Sequence, residues 1–373
     1  MSLIVYILPF ILSLLGIIIY DIGKYKFISK NYLWGIIYIY LTLLIGLRYY
    51  VGGDTFYYHE YFRRLVDFNF FDFESTESYQ PFFLIFMKIA KSIYNDFVIF
   101  QILHVLIINS VLFWFIRKNT RFIFSALFFC LLIFYINFSV EILRESLAVM
   151  IFLLNYKNLR DSNWFKYFLG VLLSSMFHLS AIFLLILPFI KFLNFNNLYV
   201  VLIFVVTVIL TQIQPLLDLL TLVQNIQEKI TFYSEYSPSI NTTLLFLTSK
   251  FLIPIGFFMF VKFILKKSIK YESLMCLFGL LGIGTVFSTL IFARLTNYIL
   301  PFYCVSIAEI IIPYLRLKKV GLGKLVMYFT IFCSIIAMGY TSFFWPTGYY
   351  KKWVPYMSIF SQEADDDTVI YRE

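Results

Sequence analysis

Apolar segments recur along nearly the whole chain, separated by short polar or basic stretches. A helix needs about 20 apolar residues to cross the hydrocarbon core of a bilayer, which is about 30 Å thick. The recurrence therefore predicts an all-α, polytopic integral membrane protein with about twelve transmembrane or re-entrant helices. These helices are predicted near residues 2–20, 31–47, 97–116, 122–140, 142–156, 164–177, 179–190, 198–220, 243–261, 272–292, 295–315 and 325–345.

The composition excludes a soluble protein. Hydrophobic residues make up 61% of the chain and charged residues only 14%, which is far outside the range of soluble domains. We predict a single membrane domain over residues 1–373, surrounded by membrane lipid. The net charge of +9 comes from short basic blocks between apolar segments, so that no nucleic-acid partner is expected.

The basic blocks predict how the chain is oriented. Every second connection between apolar segments is basic, which is the pattern of cytoplasmic loops. The remaining connections are then extracytoplasmic. They include a loop with an interfacial helix at about 48–96 and a tail at about 346–373, and both termini are expected to be extracytoplasmic. The interfacial helix is predicted over 80–94, where apolar residues recur at helical spacing. The basic connections are 23–30, 117–121, 157–166, Lys191, 262–270 and 316–324.

One segment leaves two topologies open. Residues 164–190 number about 27 and rise about 1.5 Å each as a helix, which is too short for two full crossings. We expect either two short helices or a re-entrant hairpin with His178 at the bend. Both alternatives leave the predicted sides of all later connections unchanged.

Several charged residues map to the predicted outer ends of the helices. Charges at membrane depth are costly and commonly face a cavity or a partner. Arginine keeps its charge and offers a planar fork of donors that suits phosphate groups. The set therefore favours an extracytoplasmic site for a lipid-linked phosphate or pyrophosphate ester. Its members are Arg48, Asp54, Glu141, Arg144, Glu145, His178 and Arg294.

Simpler roles are also compatible with these positions. Arg48 could extend to the lipid headgroups, Arg294 could be a helix-turn arginine, and His178 could be a satisfied bend histidine. The charged residues in 141–145 are spaced i, i+3 and i+4, which is the spacing of a local salt bridge on one helical face.

Motifs in this order resemble the EpsG/Wzy-like polysaccharide (O-antigen/capsule) repeat-unit polymerases. The first motif contains the arginine, glycine, aspartate and tyrosine of a pattern found near the N-terminal end of the members of that family. The resemblance extends over nearly the whole chain. The motifs are "LRYYVGGDTFYYHEYF" at 47–62, "LRESLAVMIFLLNY" at 143–156, "MFHLSAIFLLILPFI" at 176–190, "ARLTNYILPFY" at 293–303 and "WVPYMSIF" at 353–360.

The resemblance implies a glycosyltransferase of the bacterial inner (cytoplasmic) membrane, with a fold similar to polyprenyl-dependent GT-C-type enzymes. Such an enzyme joins oligosaccharide repeat units carried on undecaprenyl pyrophosphate, which serve as donor and acceptor, on the extracytoplasmic face. It needs no metal and no cofactor. A chain-length regulator protein is an expected partner. Whether the product is O-antigen, capsule or exopolysaccharide is left open.

The resemblance also implies catalytic roles. Arg144 and Arg294, together with Arg48, would hold the pyrophosphates and stabilise the charge of the leaving group. Asp54 is the candidate for orienting or deprotonating the acceptor hydroxyl, and His178 is its rival.

Further residues are expected to bind substrate. Arg48 belongs to the pyrophosphate site, and Tyr58 and Tyr298 are expected to stack on sugars or to bond to phosphate. Glu141 and Glu145 complete this predicted substrate-binding set. No metal ligand is predicted, because the acidic runs at 72–74 and 365–367 are poor candidates for a metal motif.

Three rival functions are considered. An O-antigen ligase-like transferase uses the same donor, but it is expected to carry its large outer loop late in the chain. A flippase or transporter of the lipid-linked oligosaccharide predicts polar residues throughout the bilayer depth and paired halves. A membrane acyltransferase needs a catalytic histidine, for which His178 alone gives little support.

Overall fold

The computed structural model is all-helical over the residues that it describes, which confirms the predicted class. Several predicted features lie outside the described residues: the helix at 198–220, the loop at 221–242, most of the helix at 325–345, and the tail beyond residue 360. The described residues are 4–23, 29–65, 79–197, 251–285, 289–316, 321, 325, 328–329 and 352–360.

The chain divides into two compact units. The first comprises Met1–Leu187, Cys304–Lys319 and Ser342–Glu373, and the second comprises Pro188–Tyr303 and Val320–Thr341. The single membrane domain therefore stays a prediction.

The first unit contains most of the described helices. Most of their bounds agree closely with the predicted windows, because long apolar runs define both. They are α1 (Ile4–Gly16, extended by a π-helical segment, Ile17–Ile22), α2 (Lys30–Gly46), α3 (Thr55–Arg64), α4 (Pro81–Ile93), α5 (Phe97–Asn119), α6 (Ile123–Cys130, extended by a π-helical segment, Leu131–Tyr135), α7 (Ile136–Val140), α8 (Leu143–Arg160) and α9 (Trp164–Ser175). Helix α3, which is polar, was not predicted as a helix, and the single window at 122–140 comprises α6 with its π-helical extension and α7.

Some of these helices are long and apolar enough to cross a membrane. Among the described residues they are Ile4–Ile22, Phe97–Asn119 and Ile123–Val140. A fourth candidate is the pair Ile291–Asn297 and Leu300–Leu315, which is bent by 59°. The chain is thus a multi-pass membrane protein, and the number of about twelve helices stays a prediction.

Helices α2 and α5 pack closely in the first unit. A Cβ atom on Gly46 would lie 3.2 Å from Ile102 Cγ1 and 3.3 Å from Val105 Cγ1, so glycine permits this close approach. Helix α5 begins after Asp96, whose carboxylate accepts a hydrogen bond of 2.9 Å from the backbone N–H of Val98. Such a cap satisfies a backbone donor at the start of a helix. Together these contacts fix the end of α2, after which Arg48 follows.

Residues 164–190 form a hairpin with His178 at its bend. Helix α9 has 12 residues, about 18 Å at 1.5 Å per residue, and a 3-10 helix returns over Leu179–Ile186. The Tyr167 hydroxyl donates to the carbonyl of Leu184 at 2.6 Å and holds the two arms together. Helix α9 is shorter than the bilayer core, which agrees with both alternatives, and the choice between two short crossings and a re-entrant hairpin stays open.

The described part of the predicted outer loop contains the helices α3 and α4. Helix α4 begins with Pro81, as is common in the first turn of a helix, and its buried residues include Phe83 and Met87. The ammonium of Lys91 donates to the carbonyls of Phe62, Arg63 and Leu65 at the end of α3, at 2.5 to 3.1 Å. A cation at this position stabilises a helix C-terminus and ties α4 to α3.

The described part of the second unit is also helical and contains a part-buried ion pair at Glu272. Lys262 forms an ion pair of 2.8 Å with Glu272, whose other carboxylate oxygen accepts from the backbone N–H of Phe195 at 3.0 Å. Its helices are Ile253–Met259, continued by a π-helical segment at Phe260–Ile264, then Glu272–Gly284 and Thr289–Asn297, after which the chain enters the helix Leu300–Leu315.

Candidate functional site

The loop at 47–53 pairs with the segment at 352–360, although some 300 positions separate them in sequence. Arg48 and Ser358 form an antiparallel bridge. Backbone hydrogen bonds on both sides of the bridge make the pairing continuous. They run from Tyr49 N–H to Met357 O at 2.9 Å, from Ile359 N–H to Leu47 O at 3.0 Å and from Gly52 N–H to Lys352 O at 2.9 Å.

Two tyrosine hydroxyls fasten the same segment to the helix bundle. Tyr6 of α1 donates to the carbonyl of Trp353 at 2.9 Å. Tyr356 donates to the carbonyl of Leu44 near the end of α2 at 2.8 Å. The segment 352–360 is therefore part of the wall around Arg48.

The two glycines of the loop are required for different reasons. Gly52 has a φ of +117°, a conformation that side-chain-bearing residues rarely adopt. Gly53 has an ordinary φ, but a Cβ atom there would lie 2.6 Å from the Nζ of Lys352. The turn is thus shaped to approach the segment at 352–360 closely.

Glu141 joins the loop to that segment. Only 4% of its surface is exposed. Its Oε1 accepts a hydrogen bond of 2.7 Å from the indole N–H of Trp353, and both carboxylate oxygens lie 3.1 Å from the backbone nitrogen of Gly53. Burial raises the pKa of this carboxyl, while the two donors act in the opposite direction. Glu141 is therefore an internal acceptor that connects three parts of the chain.

Arg48 is buried beside this turn, and two of its three guanidinium nitrogens are unused among the described residues. It is 1% exposed, and its Nη1 donates to the carbonyl of Ile45 at 2.7 Å. Its Nε and Nη2 have no hydrogen-bond partner among the described residues, and these two nitrogens form the side fork that binds an oxyanion bidentately. Burial lowers the pKa of Arg48 to about 10, opposed by the nearby Glu141 carboxylate, so the guanidinium stays charged at neutral pH.

Arg144 lies in the first turn of α8 and is half-buried. Its Nε donates to the Tyr58 hydroxyl at 3.3 Å and its Nη1 to the Gln80 side chain at 3.4 Å. Its guanidinium also lies over the Tyr79 ring, 4.6 Å from the centroid. Neutral groups on α3 and just before α4 therefore hold this arginine. None of these contacts compensates its positive charge.

The bend of the 164–190 hairpin belongs to the same region. The backbone N–H of Phe82 donates to the carbonyl of Met176 at 3.1 Å, and the rings of Phe82 and Phe177 lie 5.9 Å apart. His178 caps the returning helix, since its Nδ1 accepts from the backbone N–H of Ser180 at 3.3 Å and lies 2.6 Å from the Ser180 hydroxyl oxygen. The bend therefore packs against the start of α4, close in sequence to Gln80.

Asp54 and Glu145 occupy contrasting positions. Asp54 is exposed directly before α3, and its backbone carbonyl accepts from the N–H of Tyr58 at 3.2 Å. Glu145 is 2% exposed within α8. Asp54 is thus accessible at the surface, whereas Glu145 is enclosed.

Two predicted residues lie in the second unit. Arg294 is exposed on the helix Thr289–Asn297, and Tyr298 is buried just beyond it. Their participation in one site with Arg48 and Arg144 stays a prediction.

Sequence reasoning assigned no role to several residues that the structure brings to this end of the first unit. Trp353 donates to Glu141, and Gln80 and Tyr79 hold Arg144. The family-like ending "WVPYMSIF" contains Trp353, and the interfacial helix predicted over 80–94 begins at Gln80. Neither pattern indicated which side chain each residue contacts.

We expect Glu141→Ala to destabilise the protein. Two buried donors, on Gly53 and Trp353, would lose their acceptor, and each unsatisfied buried group costs roughly 1–3 kcal/mol. Glu141→Gln retains an acceptor oxygen and is expected to be milder. Thermal unfolding of the purified protein in detergent measures both effects. Glu60→Ala, which removes only surface ion pairs in α3, is the control, and an Ala variant at 141 that unfolds like wild type would contradict the connecting role.

Comparison with known proteins gives one match. The model of a family described as the EpsG family matches residues 31–358. This range includes the loop at 47–53, Glu141, Arg144, the His178 bend, Arg294 and nearly all of the segment at 352–360. Neither the curated proteins nor the solved structures yield a match.

Proposed function

The chain belongs to the EpsG family, and from this premise we propose that it is a polysaccharide polymerase of the bacterial inner membrane. Family membership indicates a polymerase-like, glycosyltransferase-type role in polysaccharide biosynthesis. The finer proposal is that the protein joins oligosaccharide repeat units carried on undecaprenyl pyrophosphate, at the extracytoplasmic face.

The observation that carries this proposal is the pair of arginines at one end of the first unit. Arg48 presents an unused fork inside the protein, and in the described part of the chain Arg144 is held by the neutral side chains of Tyr58, Gln80 and Tyr79. A buried cation with free donors requires an anionic or water ligand to offset its desolvation. A pyrophosphate joined to a membrane lipid supplies that charge.

The chemistry needs a base and a stabilised leaving group. The acceptor hydroxyl oxygen attacks the anomeric carbon of the donor glycan, and the bond from that carbon to the pyrophosphate oxygen breaks. The hydroxyl proton passes to a base, for which exposed Asp54 is the candidate, and the electron pair leaves with the pyrophosphate. Arg144 and Arg48 stabilise the charge that develops there. Metal independence is part of the proposal.

The proposed residues divide into two kinds. Asp54 and Arg144 face accessible space and would touch substrate. Glu141 instead has its carboxylate engaged by Gly53 and Trp353, so we assign it the placing of the Gly52–Gly53 turn. His178 has its Nδ1 bonded to Ser180, which favours Asp54 over His178 as the base.

The pairing of 47–53 with 352–360 supports the proposed orientation. Segments joined by backbone hydrogen bonds lie on the same side of a membrane. If the first loop is extracytoplasmic, as the basic connections predict, then residues 352–360 are extracytoplasmic too. Cysteine labelling at Tyr57, an exposed residue of α3, with a membrane-impermeant reagent tests this side directly.

The proposed function is tested with purified protein in nanodiscs. The only substrate is the undecaprenyl-pyrophosphate repeat unit, without nucleotide sugar and with EDTA present. A ladder of longer lipid-linked glycans is the expected result, and a reaction without protein is the control. Absence of a ladder overturns polymerisation. If the same lipid then moves between the leaflets of liposomes, a flippase is the better function, and transfer only to a lipid A core acceptor indicates a ligase.

A further inference from the structure

A histidine that the proposed chemistry does not use lies buried directly beneath the first turn of α8. His104, in the middle of α5, is fully enclosed. Its Nε2 lies 3.0 Å from the carbonyl oxygen of Leu143 and 3.2 Å from the hydroxyl oxygen of Ser146. Leu143 and Ser146 flank Arg144 in that turn, so His104 contacts the backbone that carries the arginine.

The neighbours of His104 fix the role of each ring nitrogen. A carbonyl oxygen only accepts hydrogen bonds, and the Ser146 hydroxyl already donates to Leu143 at 3.0 Å. Nε2 therefore carries the proton and donates to both oxygens. The other nitrogen, Nδ1, is then an acceptor, and it has no partner in the described part of the chain. The ring is held in one tautomer and one orientation.

The unused nitrogen of His104 has complementary groups nearby. Close packing of Gly46 against Ile102 and Val105 brings the end of α2 onto the turn of α5 that bears His104. Arg48 follows two residues after Gly46, and its Nε and Nη2 are donors without a partner. Donors and an acceptor left over at the same depth are the groups that an internal water bridges. His104 thus contacts the turn that bears Arg144 and lies on the helix against which the end of α2 packs.

We propose that His104 is a positioning residue for the transfer step. It fixes the first turn of α8 through Leu143 and Ser146, and thereby holds Arg144 where the leaving pyrophosphate develops charge. The inference rests on the proposed function. It assigns to His104 no contact with substrate, only the placement of a residue that makes one.

Two substitutions separate the hydrogen bond from the shape of the ring. In His104→Gln the side-chain amide nitrogen lies the same number of bonds from Cα as Nε2 and can still donate to Leu143. In His104→Asn the amide nitrogen is one bond short. Leu106→Ala, an exposed position on the same helix, is the matched control. Each variant is purified in nanodiscs and assayed for glycan ladder formation and thermal unfolding.

We expect His104→Asn to lower kcat by about 10- to 100-fold, since small misplacements of a catalytic group cost this much. The KM for the lipid-linked donor is expected to change less than about twofold, because only transition-state contacts are lost. His104→Gln is expected to keep kcat within about threefold of wild type. Leu106→Ala is expected to match wild type.

Several results would overturn the inference. A His104→Asn variant with wild-type kcat shows that the placement of Arg144 does not depend on this bond. A folded His104→Gln variant with a kcat at least about tenfold below wild type shows that the donor is not what matters, and this variant decides the question if His104→Asn does not fold. Failure of the wild-type protein itself to make a ladder counts instead against the proposed function, so that the two failures are distinguishable.

Discussion

Arg144→Ala is expected to abolish polymer formation, with a fall in turnover of at least about 100-fold, the usual cost of removing one donor that stabilises a developing negative charge. The substitution removes the guanidinium that lies between Tyr58, Gln80 and Tyr79. Single repeat units on their lipid carrier are expected to accumulate. The glycan ladder in nanodiscs measures the effect.

Two further substitutions separate charge from geometry at this position. Arg144→Lys keeps the charge but loses the planar fork and its stacking on Tyr79, so we expect it to recover only a small part of the activity. Arg160→Ala, at the other end of α8, removes an exposed ion pair with Asp161 and is expected to leave activity unchanged. If Arg144→Ala polymerises normally while remaining folded, Arg144 has no catalytic role.

Arg48→Met is expected to lose activity without losing stability. A buried guanidinium with unused donors carries a desolvation penalty that an apolar side chain of similar volume does not. The Glu141 carboxylate beside it remains satisfied by Gly53 and Trp353. Among the described residues, the side-chain hydrogen bond lost is that to Ile45. We expect turnover to fall at least about 100-fold and the unfolding temperature to stay equal or rise.

The opposite pattern would identify Arg48 as structural. In that case Arg48→Met lowers the unfolding temperature, and activity falls only in proportion to the folded fraction. Arg63→Met is the control, because it removes an exposed ion pair with Glu60 in α3 and is expected to change neither quantity. A combined rise in stability and loss of activity is the signature of a site that is maintained for function at a cost in stability.

The sequence predicted the helices well where apolar runs end at strong local signals. The window at 31–47 corresponds to Lys30–Gly46, and the window at 97–116 corresponds to Phe97–Asn119. Helix α5 begins directly after its capping residue, Asp96. The bend at His178 was also expected from the sequence. These features depend on a few neighbouring residues, so that a single sequence contains the information for them.

The spacing of the charged residues in 141–145 was less informative. An i, i+3, i+4 pattern brings side chains together only on one continuous helix. Helix α7 ends at Val140 and α8 begins at Leu143, so Glu141 stands in the break. It turns to Gly53 and Trp353, while Arg144 turns to Tyr58 and Gln80. The break has no glycine or proline to mark it, which is why periodicity alone does not show it.

Contacts between distant parts of the chain were beyond local reasoning. The bridge between Arg48 and Ser358 depends on how α1 and α2 pack, and the resemblance of "WVPYMSIF" to a family ending did not say what that ending touches. The convergence of Arg294 with the other arginines was expected from the topology. It concerns residues in two separate units and stays a prediction.

The contact of Tyr6 with Trp353 joins residues 347 positions apart, and this has a consequence for biosynthesis. Membrane chains are made from the N-terminus, so α1, α2 and the glycine turn emerge long before Trp353 is available. Until then Glu141 lacks the indole N–H of Trp353 and Gly52 lacks the carbonyl of Lys352, and the wall around Arg48 is incomplete. Under the proposed function, a chain truncated before residue 352 is therefore expected to hold the carrier lipid poorly.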